Sequence, residues 1–241
     1  MVALRYLEYG IASGEFTLLT GEVGLGKTLL CRKLLKSIPS DIVTAYIINP
    51  PESFEALLSS IFYDLTGRQA RCNSLGEWFN KINMLCLSIA NKQQKVAVIL
   101  DEAHLYDIKM LEGLRLLSNL ETEKEKLIYL ILVGQPELEK TLSQRELRPL
   151  AQRINVRYSL KPFSMKETKE YIKYRLDKKR LYGDARFTTV ALNAIYYISG
   201  GAPRWINHLC DRALLSGYVN GINKIGLTAV RQAAKELQGK I

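Results

Sequence analysis

Gly21–Thr28 reads GEVGLGKT. Glycine, four residues, glycine, lysine and threonine is the spacing of a phosphate-binding loop. The flanks supply the context such a loop needs. Phe16-Thr17-Leu18-Leu19-Thr20, bounded by Gly14, is a short β-rich apolar run. After the loop, Leu29, Leu30, Leu34 and Leu35 recur with helical spacing, with Arg32, Lys33 and Lys36 between them. Gly21, Gly24 and Gly26 let backbone N–H groups turn inward around phosphate oxygens, where a Cβ would intrude. The following helix adds its positive N-terminal end. Lys27 is placed to reach the β- and γ-phosphates, and the Thr28 hydroxyl to sit on Mg²⁺. The nucleotide-binding stretch is therefore Gly21, Glu22, Val23, Gly24, Leu25, Gly26, Lys27, Thr28 and Leu29. The bland alternative is a glycine turn that merely contains Lys-Thr. With glycine at about 7% of residues, a chance match in a chain this size is roughly a percent-level event, and the flanks lower that further.

Lys95–Leu100 (KVAVIL) is a second apolar strand, and Asp101-Glu102-Ala103-His104 follows it at once. Two carboxylates at the end of a strand are weak evidence alone, because Asp-Glu also begins many loops. Some seventy residues after a good phosphate loop, they read as the Walker B pattern. Asp101 is then the residue that holds Mg²⁺ through its water shell, and Glu102 the one that takes a proton from the attacking water. Leu127–Val133 (LIYLILV) is another buried strand, ending at Gly134-Gln135-Pro136. A polar side chain at that tip would sit beside the γ-phosphate and the water. Gln135 is the candidate, against the alternative of a turn glutamine before proline.

Further strands are read at Ile42–Ile48 (IVTAYII), a β-branched run with the character of a fully buried strand, and at Ile154–Leu160 (INVRYSL). The latter alternates apolar and polar residues as an edge strand should. Helices are expected at residues 2–12, after the phosphate loop, after a Ser53 cap, over Leu75 to about Asn91, and over Lys109–Leu120. Five strands separated by helices predict a largely parallel, doubly wound sheet with ligands at the carboxyl ends of its strands. From Ser164 onward no strand is convincing. Helices are read at about 164–180, 188–198, 203–217 and 226–237, separated by Gly183, Gly200-Gly201 and Gly221. The expected organisation is a nucleotide-binding α/β domain over residues 1–162 and an all-α lid over 163–241.

The 241 residues can bury a full core, and hydrophobic and charged contents of 47% and 24% are ordinary for a globular protein. The formal charge of +10 is unevenly placed: residues 145–180 hold twelve Lys or Arg against four Asp or Glu. Cys31, Cys72, Cys86 and Cys210 are scattered without C-x-x-C spacing, and His104 and His208 pair with none of them. Buried reduced thiols, not a zinc site, are expected. The longest apolar run is far short of a membrane span, and no signal-peptide pattern opens the chain. The expectation is a cytoplasmic protein. The opening residues begin in mid-helix by pattern, which leads one to expect natural sequence before them.

Phosphate loop, Asp-Glu strand end, polar strand tip, arginines before a last strand and then a helical lid is the order of an AAA+ ATPase. More specifically, the chain resembles the ATPase domain of the general secretion pathway protein A (ExeA-type) and MshM family. The resemblance is carried by LLTGEVGLGKT, VILDEAH, LRLLSNLETEKE, LILVGQPEL, LRPLAQRINVRYSL and GGAPRWINHLCDRALL, in the same order over nearly the whole chain. Leu25 departs from the pattern, where these proteins usually have a small threonine. The resemblance implies an ATP/ADP site with Mg²⁺, Gln135 as sensor 1, and Arg153 or else Arg148 as an arginine finger for a neighbouring subunit. Arg204 is similar to sensor 2, reaching from the lid to the γ-phosphate. Asn49 resembles the asparagine that restrains the catalytic glutamate, or else is a turn residue before Pro50-Pro51. Such proteins also carry a transmembrane segment and a peptidoglycan-binding region after the ATPase domain, so an excised domain or a short family member is expected, with any tether to the inner membrane outside this chain.

The leading functional expectation is a homo-oligomeric ATPase, acting between subunits, that drives assembly of a secretion or pilus system through a partner protein. The alternative is a DNA-associated AAA+ ATPase of the transposition-regulator type, with residues 145–180 as a phosphate-binding face. Against DNA stand the lack of an appended winged helix and the scarcity of aromatics in that segment. A DEAH-type helicase, resting on Asp101–His104 alone, would need a second motor domain that the lid residues cannot supply.

Overall fold

The computed structural model describes residues 2–121, 126–178 and 185–238. Helix α1 (Val2–Ser13) leads into strand β1 (Phe16–Gly21), and helix α2 (Lys27–Ser37) follows the phosphate loop into β2 (Ile42–Ile47). Helices α3 (Phe54–Thr66) and α4 (Leu75–Ala90) precede β3 (Lys95–Leu100). Helix α5 (Ile108–Leu117), β4 (Ile128–Gly134), the short helices α6 (Glu137–Leu142) and α7 (Arg148–Ala151), and β5 (Ile154–Leu160) complete the first part. Ser53 and Ser74 cap α3 and α4 by accepting from the N–H groups of Ala56 and Glu77, which satisfies a donor the first turn leaves open.

The strands form a five-stranded sheet in the order β2-β3-β4-β1-β5, with every pairing parallel. Alternate residues of the central strands supply two different cores, as the period of two requires. Leu18, Val98, Leu100, Leu130 and Leu132 join Leu57, Leu58, Trp78, Ile82 and Leu111 on one face. Leu19, Ile99, Ile131 and Val133 join Leu7, Ile11, Cys31 and Leu34 on the other. Emptying one such position to alanine costs about 2–5 kcal/mol. The sheet's edges are β2 and β5. β5 alternates buried and exposed positions, as expected of an edge. β2 corrects the sequence reading: it is half-buried and at the other edge. Its open side is met by a side chain, the Tyr46 N–H donating to Asp64 Oδ2 at 2.5 Å.

Chain contacts divide the molecule into two compact units, Met1–Glu22 with Lys27–Leu160, and Val23–Gly26 with Lys161–Ile241. The second unit holds α8 (Met165–Lys178), β6 (Arg186–Phe187), α9 (Thr189–Ser199), α10 (Pro203–Val219), β7 (Lys224–Ile225) and α11 (Leu227–Gln238). Ile172, Ala191, Ile195, Ile206, Leu209, Ala213, Ile225 and Val230 form its core. The parallel β6–β7 ladder of two residues per strand is absent from the sequence reading, because two residues are too few to show a period. The expected helix ends at 179–180, the break at Gly183 and residues 122–125 of the family motif lie outside the described residues. The cysteines are free, with Cys31, Cys86 and Cys210 buried and Cys72 half-buried.

Candidate active site

The carboxyl ends of β1, β3 and β4 carry the polar residues singled out in the sequence. β1 ends at Gly21 and the chain turns through Glu22–Gly26, with Gly24 and Gly26 at φ of 82° and 94°, left-handed values that side chains resist. Lys27 opens α2 and is buried. Its Nζ donates to the Gly21 carbonyl at 2.6 Å and the Glu22 carbonyl at 3.2 Å, so two of its three donors are aimed into the loop. Burial lowers its pKa, while Glu102, Asp101, Glu22 and Glu137 act the other way. Glu22, Val23 and Leu29 are exposed, and Leu25 is half-buried.

Asp101 is fully buried just past β3. The Thr28 hydroxyl donates to its Oδ2 at 2.8 Å, and the Glu102 N–H donates to Oδ1 at 2.9 Å. The two residues expected at the metal, 73 positions apart, thus touch. A hydroxyl and a carboxylate are hard oxygen ligands of the kind Mg²⁺ takes. Among the described residues no group of three or more His, Cys, Asp or Glu gathers. Sequence reasoning missed Tyr46, whose hydroxyl also donates to Asp101 Oδ2 at 2.9 Å. Burial first, and then the Asp101 charge, push this phenol far up in pKa, which keeps it a donor.

Glu102 adopts φ 53° and ψ 30°, a left-handed conformation that costs a non-glycine residue about 1–3 kcal/mol. The strain sends the chain into a 3₁₀ turn at Ala103–Leu105. Beside it, Gln135 follows the end of β4, with its Nε2 2.8 Å from His104 Nε2. A buried donor and acceptor set, a lysine in a glycine loop and a partly exposed carboxylate can bind a polyphosphate and activate a water against it.

The remaining candidates do not all converge there. Asn49 lies in a bend just beyond β2 and lines an open cleft of about 660 Å³ with Tyr63, Asp64 and Arg71. Arg153 sits at the opposite end of the sheet, immediately before β5. Its guanidinium donates to the Ser118 carbonyl at 3.2 Å and hydroxyl at 3.3 Å. Arg148 is exposed at the start of α7. Arg204 follows Pro203 at the start of α10, and within the second unit its backbone N–H donates to the Gly24 carbonyl at 3.2 Å.

The family model of the AAA domain matches residues 11–142. General secretion pathway protein A of Aeromonas hydrophila is 40% identical over 238 residues, covering 98% of this chain and 43% of that protein. The chain thus spans less than half the length of this relative. Among solved structures, Cdc6p from Pyrobaculum aerophilum matches with a TM-score of 0.75 at 20% identity, over 97% of this chain and 66% of that one. The Aeropyrum pernix ORC2 protein, in ADPNP–ADP complexes, matches at 0.69 and 18% identity, over 98% and 66%. The Thermotoga maritima RuvB Holliday junction branch migration motor matches at 0.59 and 20% identity, over 98% and 67%. At such identities these likenesses show a common fold.

Proposed function

The chain belongs to the AAA domain family, and on that premise we propose that it binds ATP with Mg²⁺ and hydrolyses it to ADP. The observation that carries this reading is the 2.8 Å hydrogen bond from Thr28 to Asp101, which joins the phosphate loop to the end of β3 with Glu102 next in the chain. Residues 1–162 act as the nucleotide-binding domain and 163–241 as its lid. Lys27 and the inward N–H groups of the loop bind the phosphates. The Thr28 hydroxyl, and Asp101 through the ion's water shell, would hold Mg²⁺, which would supply charge neutralisation. Glu102 takes a proton from water as the water oxygen bonds to the γ-phosphorus and the bond to the bridging oxygen breaks, releasing ADP. Gln135 orients that water, Asn49 restrains Glu102, and Arg204 reaches the γ-phosphate from the lid. Arg153, or else Arg148, serves the nucleotide of a neighbouring copy. Titration calorimetry tests the reading: Lys27→Ala should abolish Mg²⁺-ATP binding, and undiminished binding would overturn it.

The work done with that ATP is the assembly of a secretion or pilus system through a partner protein, a reading supported by the 40% identity to general secretion pathway protein A. Any membrane tether belongs to segments outside this chain. Among the described residues no helix is long and apolar enough to cross a membrane. A second reading, a DNA-associated ATPase, is favoured by α8, where Lys166, Lys169, Lys173 and Lys178 accompany exposed Tyr174, with Lys178 Nζ 5.6 Å from that ring. A DNA affinity that falls roughly 10³-fold or more between about 50 and 200 mM salt, and is removed by neutralising Lys173, Lys178 and Lys179, would promote it. Lys179 lies outside the described residues, and no such affinity is expected at physiological salt.

A further inference from the structure

Glu102 and Gln135 stand at the ends of different strands, yet one side chain reaches both. His104 Nε2 lies 2.8 Å from Gln135 Nε2, and His104 Nδ1 lies 3.4 Å from Glu102 Oε2. The imidazole is only 10% exposed. Among the described residues its buried Nδ1 has no partner in full hydrogen-bond geometry, so the near carboxylate is what it can close upon. The backbone builds this placement. The left-handed Glu102 starts the 3₁₀ turn, and the turn packs against Gly134, where a Cβ would stand 3.1 Å from the His104 backbone nitrogen and 2.9 Å from Leu138.

For a neutral imidazole the two contacts favour one arrangement of protons. A Gln135 amide nitrogen has only hydrogens to offer, so it faces a bare Nε2, and the ring proton is then on Nδ1, directed at Glu102. With the amide reversed, its oxygen would accept from Nε2–H and the Nδ1 lone pair would face a carboxylate oxygen, acceptor against acceptor.

We propose that His104 is a positioning residue that ties Glu102 to Gln135, so that the proton-accepting carboxylate and the water-orienting amide take their working positions as one unit. This rests on the ATPase reading of Glu102 and Gln135 given above. In it, a shift of β4's tip moves Glu102 through the imidazole, and the reverse.

The first test needs no nucleotide. ¹⁵N NMR of the imidazole at pH 8 should show His104 as the Nδ1–H tautomer in the parent protein, moving toward Nε2–H in Glu102→Ala, where Nδ1 has lost its acceptor and the Gln135 amide can reverse to accept from Nε2–H. An Nε2–H tautomer in the parent, or no change in the variant, overturns the proposal. The second is turnover. His104→Asn keeps an amide near the Nδ1 side of the ring and His104→Gln near the Nε2 side, so each spans half the bridge. Both should lose about 10–100-fold in kcat, the usual scale for removing a supporting partner, with ATP affinity retained. Parent-like kcat in either overturns the proposal. Glu102→Gln, run beside them, separates the two layers. If it turns over like the parent, the reading of Glu102 as base has failed. If it is inactive while the His104 variants are fully active, only the link has failed.

Discussion

Tyr46 and Asp101 are joined across the β2–β3 pair: the phenol donates to Oδ2 at 2.9 Å, on the same oxygen that accepts from Thr28 at 2.8 Å. With the Glu102 N–H on Oδ1, a fully buried carboxylate is held by three donors from three segments of the chain. From the side of β2 the Asp101 backbone is held as well, its N–H donating to the Ile47 carbonyl at 2.8 Å.

Tyr46→Phe removes one of those donors and leaves the ring. A hydrogen bond to a charged group contributes about 1.5–3 kcal/mol, and because Thr28 still donates to the same oxygen, the lower end is expected. Chemical denaturation should therefore show a loss near that size. The Mg²⁺ concentration needed for half-maximal turnover should rise while ATP affinity without metal stays put. Unchanged stability together with unchanged Mg²⁺ dependence would remove Tyr46 from the site.

Arg153 is held at the far end of the sheet by Ser118, away from the Lys27–Asp101–Glu102 cluster of its own chain. Turnover should accordingly climb with protein concentration. Arg153→Ala should keep nucleotide affinity and lose activity, since an arginine supplied in trans can contribute about 10³–10⁵ in rate. Mixing it with Glu102→Gln should restore some activity at interfaces that join an intact arginine to an intact glutamate. Concentration-independent turnover with no rescue would sink the idea, and rescue with Arg148→Ala but not Arg153→Ala would move the finger to Arg148.

Ser164 and Glu167 cap the start of α8 reciprocally: the Glu167 N–H donates to Ser164 Oγ at 3.3 Å, and the Ser164 N–H donates to Glu167 Oε2 at 2.8 Å. The bonds from the Ser164 backbone and hydroxyl pull the Glu167 carboxyl below its ordinary value. A depressed folded-state pKa contributes stability that is fully present above the unfolded value, about 4.3, and is lost as pH falls through the folded one. Glu167→Gln should flatten that acidic part of the stability profile and leave the profile's neutral part only slightly lower. A parallel pair of profiles would show that the cap does not carry the effect.

What could be read in advance follows from how local each signal is. Gly21–Thr28 and Asp101-Glu102 are contiguous patterns, and the spacing of the chain between them was enough to expect Thr28 and Asp101 at one metal. Tyr46 had no such signal, because a tyrosine in an apolar run looks like core, and its role arises from strand register. IVTAYII reads as a buried strand from composition, whereas the order β2-β3-β4-β1-β5 puts it at an edge, and order is a property of the whole sheet. His104 gained its two partners only through the left-handed turn at Glu102, a conformation that the identity of a glutamate does not announce. Arg153 and Arg148 were both visible as arginines before an edge strand, and the single chain ties Arg153 to Ser118, away from its own site.

Glu102 is the proposed base of an ATP hydrolysis whose binding half is a separate set of residues. The most direct measurement is Mg²⁺-ATP binding and steady-state turnover of Glu102→Gln against the parent chain under the same conditions. ATP affinity should be unchanged, because Lys27, Thr28 and the loop are untouched, with kcat reduced by about 10²–10⁴, the scale of general-base catalysis. Turnover at the parent rate, or loss of ATP binding along with turnover, would contradict it.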